Sequence, residues 1–265
     1  MSVTLKTSKP RMFSTVLDIV RKGRMIRTDT LDFMNDEPEY SNIIATDGEI
    51  ENYIINADGI ILAYLNDKYG GASGLRTTPW VSTPFRSPKN QDSGRLISAV
   101  VNDEDNAYTA FWTVEFSSTT AFAVTSSLEG SQGTGSTASD FTSTNLEVKI
   151  GSNAWLAGVE SFTNNDQFFF SLIDVYPIIN KISSNLAASG VLMELYSEVV
   201  PNANEYATRL NDIAMNLLKD LANPDGLASL TTANEIISTP TPIDYRISMT
   251  GEDVSDYLTE NKLDP

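Results

Sequence analysis

The 265-residue sequence contains neither cysteine nor histidine. The missing thiols exclude disulfide scaffolds, thiol nucleophiles and zinc fingers. The missing imidazoles remove the commonest general base and the commonest metal ligand. We therefore expect a protein that is not an enzyme and that has no catalytic residue, no bound metal and no cofactor.

Long apolar runs and positive charge are also scarce. No stretch approaches the ~18 consecutive apolar residues that span a bilayer, so no membrane segment is expected. The chain has 18 basic and 35 acidic residues, a net charge of −17, which should repel nucleic acid. Residues 1–27 carry +6 and the rest of the chain carries −23. This asymmetry suggests a basic arm that docks on the acidic body of a neighbouring copy, the alternative being a solvated terminus.

Two parts of the sequence follow the i, i+3, i+4, i+7 spacing of a helix. The first helix begins at Thr46 or Asp47 and ends before Gly70, at a glycine cap. The second part is a helical pair, which begins with Pro177, ends at Asn223 and has a short link that predicts antiparallel packing. The stripe predicted to be buried in the first helix consists of Ile50, Tyr53, Ile54, Ala57, Ile60, Ile61, Tyr64 and Leu65.

The region between these helices is rich in Ser, Thr, Gly and aromatic residues. The glycine-rich stretch Glu129–Ser136 has no apolar residue and predicts a flexible tip. The spacing of the remaining segments favours a small antiparallel sandwich or barrel. Six short runs predict strands: Leu96–Val101, Tyr108–Phe116, Ala121–Thr125, Leu146–Ile150, Ala154–Phe162 and Phe168–Val175.

The order of these elements predicts an α+β fold: a discontinuous helical bundle core, an inserted antiparallel β-sandwich or barrel domain, and extended termini. The helical core comprises residues 46–74 plus 176–226, and the inserted β domain comprises residues 75–175. Residues 1–45 form a basic N-terminal arm with a short helix, and residues 227–265 form an extended C-terminal tail.

Two acidic motifs have side chains that could form a site. Asn102–Asn106 is dense in oxygen ligands, but it lacks the glycine and the distal glutamate of an EF-hand loop, which leaves calcium binding open. Asp92-Ser93-Gly94 matches the tripeptide of aspartic proteases, but it occurs once and follows a polar turn. A hydrolase would need two carboxylates about 5–10 Å apart in a cleft, and the sequence singles out no such pair.

The helical pair carries a family resemblance. The stretches Asp174–Ala188, Pro201–Ala207 and Leu217–Leu221 resemble the head-tail connector (adaptor or neck) proteins of tailed bacteriophages. These small helical proteins have an early helix like the one over 47–69, then a middle connection, then a helix, a short turn and a helix. The chain departs from that pattern in its long β insertion and its long C-terminal tail.

The resemblance implies a structural virion protein, in the neck at the head-tail junction and in the host cytoplasm during assembly. It implies a homo-oligomeric ring, commonly of twelve copies, that docks on the portal protein, contacts tail or neck proteins and extends the DNA channel. An acidic channel wall would let DNA pass without specific binding. No membrane is involved.

Partner contacts are expected at both ends of the chain. The alternative function is a β-sandwich binding module of a phage tail or a surface adhesin, which would bind its ligand through the β block alone. The residues predicted to form the partner interface are Arg21, Lys22, Arg24 and Arg27 in the arm, and Ile243, Tyr245, Ile247, Tyr257 and Leu258 in the tail.

Overall fold

The computed structural model describes residues 11–23, 26–31, 44–91, 94–156, 162–197, 202–223 and 230. Within these ranges the chain is a mixed α+β protein, as expected. None of the described helices is both long and apolar enough to cross a membrane. The helices are α1 (Val16–Lys22), α2 (Asp47–Tyr69), α3 (Pro177–Val191) and α4 (Ala203–Ala222), with a π-helical turn at Leu192–Tyr196 after α3.

The strands form one large antiparallel sheet and two small ones. The large sheet has the order β1-β11-β5-β6-β7, with β2 also paired to β11, and the small sheets have the orders β4-β9-β8 and β10-β3. The described strands form open sheets and do not close into a barrel. The strands are β1 (Arg76–Val81), β2 (Phe85–Arg86), β3 (Arg95–Leu96), β4 (Val100–Val101), β5 (Ala110–Phe116), β6 (Ala121–Ser126), β7 (Gly130–Ser136), β8 (Phe141–Thr142), β9 (Val148–Ile150), β10 (Trp155–Leu156) and β11 (Gln167–Val175).

The predicted ends of α2 are confirmed. Thr46 is the N-cap, and its side chain accepts a hydrogen bond from the backbone N–H of Glu49 (3.2 Å) while the Glu49 carboxylate accepts from the N–H of Thr46 (2.7 Å). Gly70 ends the helix in the left-handed conformation, with φ of 73°. The predicted stripe is wrong in part: Ile60 and Tyr64 are 42% and 45% exposed, because this helix is apolar on more than one face.

The predicted helical pair is also present. Pro177 is the first residue of α3, and α4 follows after a short link. Contacts along the helices fix their directions: Ser189 in α3 donates to the carbonyl of Ala207 in α4 (2.8 Å), and Ser183 in α3 donates to Asp58 in α2 (2.6 Å). A methyl group built at Gly190 would lie 3.0 Å from the Tyr53 ring. Therefore α3 is antiparallel to α2. Lys68 at the end of α2 donates to the carbonyl of Leu221 at the end of α4 (2.7 Å), so α4 runs with α2 and is also antiparallel to α3.

The strand β11 joins the helices to the sheet. Its side chains alternate between two hydrophobic clusters: Phe169, Ile173 and Val175 pack with the helices, whereas Phe168, Phe170 and Leu172 pack with the smaller β layer. The large sheet therefore lies between the helices on one face and the short strands on the other, which explains the nearly continuous apolar sequence of β11.

The glycine-rich stretch Glu129–Ser136 is the main error of the sequence prediction. It is not a flexible tip: β7 pairs antiparallel with β6 over residues 130–136. Gly135 lies opposite Phe122, and a Cβ atom there would be 2.6 Å from the Cζ atom of that ring. Gly135 makes room for an aromatic side chain from the neighbouring strand, a reason for glycine in a strand that a local pattern does not reveal.

The other predicted strands agree with the strands of the structure to different degrees. The runs 108–116, 121–125 and 168–175 correspond closely to β5, β6 and β11. The run Leu96–Val101 is broken into β3 and β4, which pair with different partners. In the run Ala154–Phe162, only β10 is a strand among the described residues, and 157–161 lie outside them. The strands β1, which contains Pro79, and β2, which directly follows Pro84, have no counterpart among the predicted runs.

Candidate assembly surface

The N-terminal segment is seated in the helical layer of its own chain. Thr15 caps α1, and the side chain of Asp18 accepts from the Thr15 N–H (2.9 Å) in a reciprocal capping box. The buried apolar residues of this segment join the cluster of α2, α3 and β11: Phe13, Val16, Leu17, Ile19 and Val20. The described part of the basic arm is thus a packed element.

A buried polar network fixes the start of this segment. The carboxyl of Asp58 in α2 accepts from the backbone N–H of Phe13 (2.8 Å) and from the hydroxyl of Ser183 in α3 (2.6 Å). Ser183 also shares a hydrogen bond with Ser14 (2.8 Å). Burial raises the pKa of Asp58 to about 7, although these hydrogen bonds and the charge of Arg76 oppose the shift.

A second branch of the network centres on Asp18. One of its carboxyl oxygens accepts from the hydroxyl of Ser171 in β11 (3.0 Å), and the other accepts from the side-chain amide of Asn180 in α3 (3.1 Å). The amide of Asn180 also donates to the carbonyl of Phe13 (3.1 Å). Thr15 and Ser171 share a further hydrogen bond of 2.8 Å. The segment is therefore tied to α3 and to the sheet at once.

The ion pair between Arg76 and Asp174 lies on the sheet, next to this network. The two side chains approach to 2.6 Å, and Thr109 donates to the other carboxyl oxygen of Asp174 (2.6 Å). Arg76 also donates to the carbonyl of Arg11 (3.1 Å), and the guanidinium of Arg11 lies 3.7 Å from the centre of the Tyr108 ring. These contacts fix the position of Arg11, the first described residue of the segment, against the sheet.

The structure places three of the four basic interface candidates. Arg21 is exposed at the end of α1, with its guanidinium 5.4 Å from the centre of the Phe85 ring. Lys22 is partly buried, and desolvation by burial lowers its pKa to about 8, opposed by the nearby Asp18. The backbone N–H of Arg27 donates to the Tyr196 hydroxyl (3.1 Å). Arg24 lies outside the described residues.

The backbone of these basic residues helps to hold α1 in place, since the carbonyl of Lys22 accepts from the hydroxyl of Tyr206 in α4 (2.9 Å). Their role at a partner interface stays a prediction. The tail candidates Ile243, Tyr245, Ile247, Tyr257 and Leu258 lie outside the described residues.

The acidic turn 102–106 has internal hydrogen bonds. The carboxyl of Asp103 accepts from the backbone N–H of Asp105 (3.1 Å) and from the side-chain amide of Asn106 (2.7 Å). These bonds are typical of an aspartate that stabilises a turn. No group of three or more acidic side chains that could hold a metal ion occurs within the part of the chain that the structure describes. Of the tripeptide Asp92-Ser93-Gly94, only the glycine is described.

Most of the exposed large apolar side chains on the described surface fall into two groups, apart from Ile44, Met193 and Ile213. One group lies on α2, where Ile55 is 41% exposed together with Ile60 and Tyr64. The other lies on the smaller β layer and consists of Ile97 (53%), Val100 (51%), Leu146 (53%) and Leu156 (54%). The sequence periodicity missed the exposure of Ile60 and Tyr64. No local signal marked it, because the sequence of a helix with apolar residues on more than one face does not show which of those faces is buried.

Comparison with known proteins gives little to set beside this geometry. No family model and no curated protein matches the sequence. Two crystal structures of FlgL from Xanthomonas campestris, in space groups H3 and C2, show a distant likeness, with 15% and 12% sequence identity and TM-scores of 0.26 and 0.27. The matches cover 62% and 70% of this chain but only 58% and 56% of the FlgL chains. Likeness at this level carries no argument about fold or function.

Proposed function

We propose that this protein is a structural head-tail connector of a tailed bacteriophage, which forms an oligomeric ring between the portal and the tail. The observation that carries the proposal is the packing of α2 on the α3–α4 pair, because the connector proteins that the sequence resembles have an early helix of this kind and a later pair of helices joined by a short turn. Asp58 and Ser183 bridge the early helix and the hairpin at 2.6 Å.

The finer architecture belongs to the same proposal. The helical core is discontinuous, made of residues 46–74 plus 176–226, and the β domain, residues 75–175, is inserted into it. Two junctions support this division: β1 follows α2 after one short turn of helix, Ala72–Leu75, and β11 ends one residue before Pro177 begins α3. The pairing of β1 with β11 brings the two ends of the insertion together (Arg76 opposite Val175).

Charge supports the connector function at the level of the whole chain. A net charge of −17 gives a wall that DNA passes without adhering to it. Copies with this charge repel one another, so ring contacts need either basic residues or uncharged surface. The basic residues at the end of α1, Arg21 and Lys22, are one candidate for such contacts.

The test is the mass of the purified protein, alone and mixed with a portal ring, by native mass spectrometry. A connector binds the portal in a ring-sized stoichiometry, and replacing Arg21 with Glu weakens that binding. The matched control is Arg209→Glu, a like change at an exposed position of α4. If the protein shows no binding to the portal ring under any condition, the proposal is contradicted.

The exposed apolar group on the smaller β layer favours a second candidate, a β binding module of a tail or adhesin. Leu156 lies on β10, Ile97 directly follows β3, the strand that pairs with β10, and both residues are more than half exposed. In that case Leu156→Glu abolishes ligand binding, measured on a carbohydrate or cell-surface array, and leaves the mass of the protein unchanged. Portal binding that survives this substitution favours the connector.

A further inference from the structure

Arg11 is held in place beside the acidic turn 102–106. Its carbonyl accepts a hydrogen bond from Arg76 (3.1 Å), and its guanidinium lies 3.7 Å from the centre of the Tyr108 ring. Tyr108 follows the turn by two positions in the chain. Because residue 10 is bonded to Arg11, the ten residues that precede Arg11 are tethered within reach of this turn.

The turn is a local concentration of negative charge. It contains three acids, and the chain from Ile97 to Tyr108 has no basic residue. Glu104 and Asp105 are exposed, and neither forms an ion pair with another residue in the ranges that the structure describes. The basic residue on the neighbouring strand β9, Lys149, is paired with Asp140 instead (2.9 Å).

Exposed apolar side chains adjoin the acids of the turn. Val100 precedes Asn102 by two positions and is 51% exposed. Leu146 is 53% exposed, and its carbonyl accepts from the side-chain amide of Asn102 (2.7 Å), which places it beside the turn. Leu146 also has φ of 62°, an uncommon conformation for a bulky residue. An exposed apolar side chain that is held at a conformational cost points to a binding surface.

We call this region the turn surface, and it consists of Val100, Asp103, Glu104, Asp105 and Leu146. The residues before Arg11 complement it in chemistry. They contain two basic residues, no acid, and apolar residues next to the basic ones: Val3, Leu5, Lys6 and Lys9. Opposite charges meet when this segment lies on the turn surface, which is the arrangement that Coulomb attraction favours.

The tether identifies the copy that supplies the segment. Lys9 and Lys6 are two and five residues from Arg11, which is up to about 7 Å and about 18 Å of extended chain. Asp105 is three residues from Tyr108, at most about 11 Å away. A short tether gives an effective concentration in the millimolar range, which suffices for exposed ion pairs that are individually weak. A second copy has no such advantage.

We propose that residues 3–9 dock on the turn surface of their own chain. Lys6 and Lys9 contact the acids of the turn. The apolar side chains of Val3 and Leu5 pack against Leu146. The basic charge that was predicted to dock on a neighbouring copy is thereby held on an acidic surface of the same copy.

The absence of native cysteine allows a direct cross-linking test. Ser8→Cys places one thiol in the segment, and Glu104→Cys places the other on the turn surface. The matched control combines Ser8→Cys with Glu51→Cys, because Glu51 is also an acid and lines a small cavity together with Met12 and Thr109, close to the same anchor. Both full-length proteins are oxidised at low concentration, and the rate of intramolecular disulfide formation is measured by mass spectrometry.

We expect the disulfide to form at least about tenfold faster with Glu104→Cys than with Glu51→Cys. Adding Lys6→Glu and Lys9→Glu to the faster protein should return it to the control rate, because the segment and the turn then repel each other. Adding Asp105→Lys to that charge-reversed protein should raise the rate again, since opposite charges are restored.

The apolar half of the contact is tested on the same pair of thiols. Leu146→Asn removes the exposed apolar side chain, and asparagine tolerates the positive φ at this position. We expect this substitution to slow disulfide formation at least about threefold.

Three results would overturn the proposal. The first is an equal rate for Glu104→Cys and Glu51→Cys. The second is a fast rate that neither the charge reversal nor Leu146→Asn changes. The third is a disulfide-linked dimer as the main product, which would assign the segment to a neighbouring copy.

This inference does not depend on the connector function. The cross-linking is measured with no portal present, and portal binding is measured on Arg21→Glu, which leaves the turn surface intact. Failure of either experiment leaves the other interpretable.

Discussion

At the residue scale, the most consequential side chain is Asp58, a carboxyl that is only 8% exposed in the middle of α2. The sequence pattern did not single it out, because an acid beside an apolar stripe normally points to solvent. In the structure the carboxyl points into the core, where it accepts hydrogen bonds from the backbone N–H of Phe13 and from the hydroxyl of Ser183. The hydroxyl of Ser183 can either donate to the ionised carboxyl or accept from the protonated one, so the network is satisfied in both states.

The first prediction concerns the pH dependence of stability. The pKa of Asp58 is raised to about 7 in the folded protein from an ordinary value of 3.8, so the fold favours the protonated form. The stabilisation that Asp58 provides is complete below its unfolded pKa and is lost as the pH rises through 7. Between pH 5 and pH 8 this loss is about 2–3 kcal/mol in the free energy of unfolding.

Asp58→Asn removes this titration and keeps both contacts, since an amide can donate to Ser183 and accept from Phe13. Urea unfolding of the wild type and the variant at pH 5 and pH 8 measures the effect. We expect the variant to gain stability relative to the wild type as the pH rises. A difference between the two proteins that stays constant from pH 5 to pH 8 would contradict this role of Asp58.

At the element scale, local sequence signals predicted the helices correctly and failed to predict one strand, β7. Thr46 and Gly70 cap α2 through hydrogen bonds and a backbone conformation that depend on neighbours within a few residues. The strand β7 has no such local signal. The rings of Phe122 and Phe141, which lie on other strands, leave no room for a side chain at Gly135, so this element could be found only with the pairing known.

The second prediction tests this explanation of β7. Gly135→Val places side-chain carbon against the Phe122 ring, where a Cβ atom would be 2.6 Å from its Cζ atom. We expect the free energy of unfolding to fall by about 1–3 kcal/mol, the usual cost of overpacking a filled core. Thr134→Val, at the exposed neighbouring position, is the control and should change it by less than about 0.5 kcal/mol. A Gly135→Val protein as stable as this control would mean that the ring is free to move.

At the scale of the whole molecule, the N-terminal segment unites the helices and the sheet. Its apolar residues complete the helical cluster, and its polar contacts reach α2, α3 and β11. The segment whose basic residues suggested a docking arm is therefore itself part of the core. Two of its basic residues, Arg21 and Lys22, lie at the end of α1, and the apolar residues of α1 are buried.

The third prediction follows from this packing. Deleting residues 1–22 removes five buried apolar side chains, each contributing about 1.5–3 kcal/mol, a sum comparable to the stability of an entire domain. We expect that protein to lose its cooperative thermal unfolding transition, measured by circular dichroism. Deleting residues 1–10 spares every one of these contacts and should leave the transition within a few degrees of the wild type. Equal melting of the two truncated proteins would show that α1 is dispensable for the fold.

The sequence by itself determined the composition limits, the helices with their caps, the three long central strands and the α+β class. These depend on residue type and on spacing within about a dozen positions, which a sequence displays directly. Only the tertiary structure decided that Asp58 is buried, that a glycine-rich stretch is a strand, and that the two faces of β11 serve two clusters. It also decided that Ile60 and Tyr64 remain exposed. Each of these depends on residues far apart in the sequence, such as Phe13 with Asp58 or Phe122 with Gly135, whose proximity only the folded chain creates.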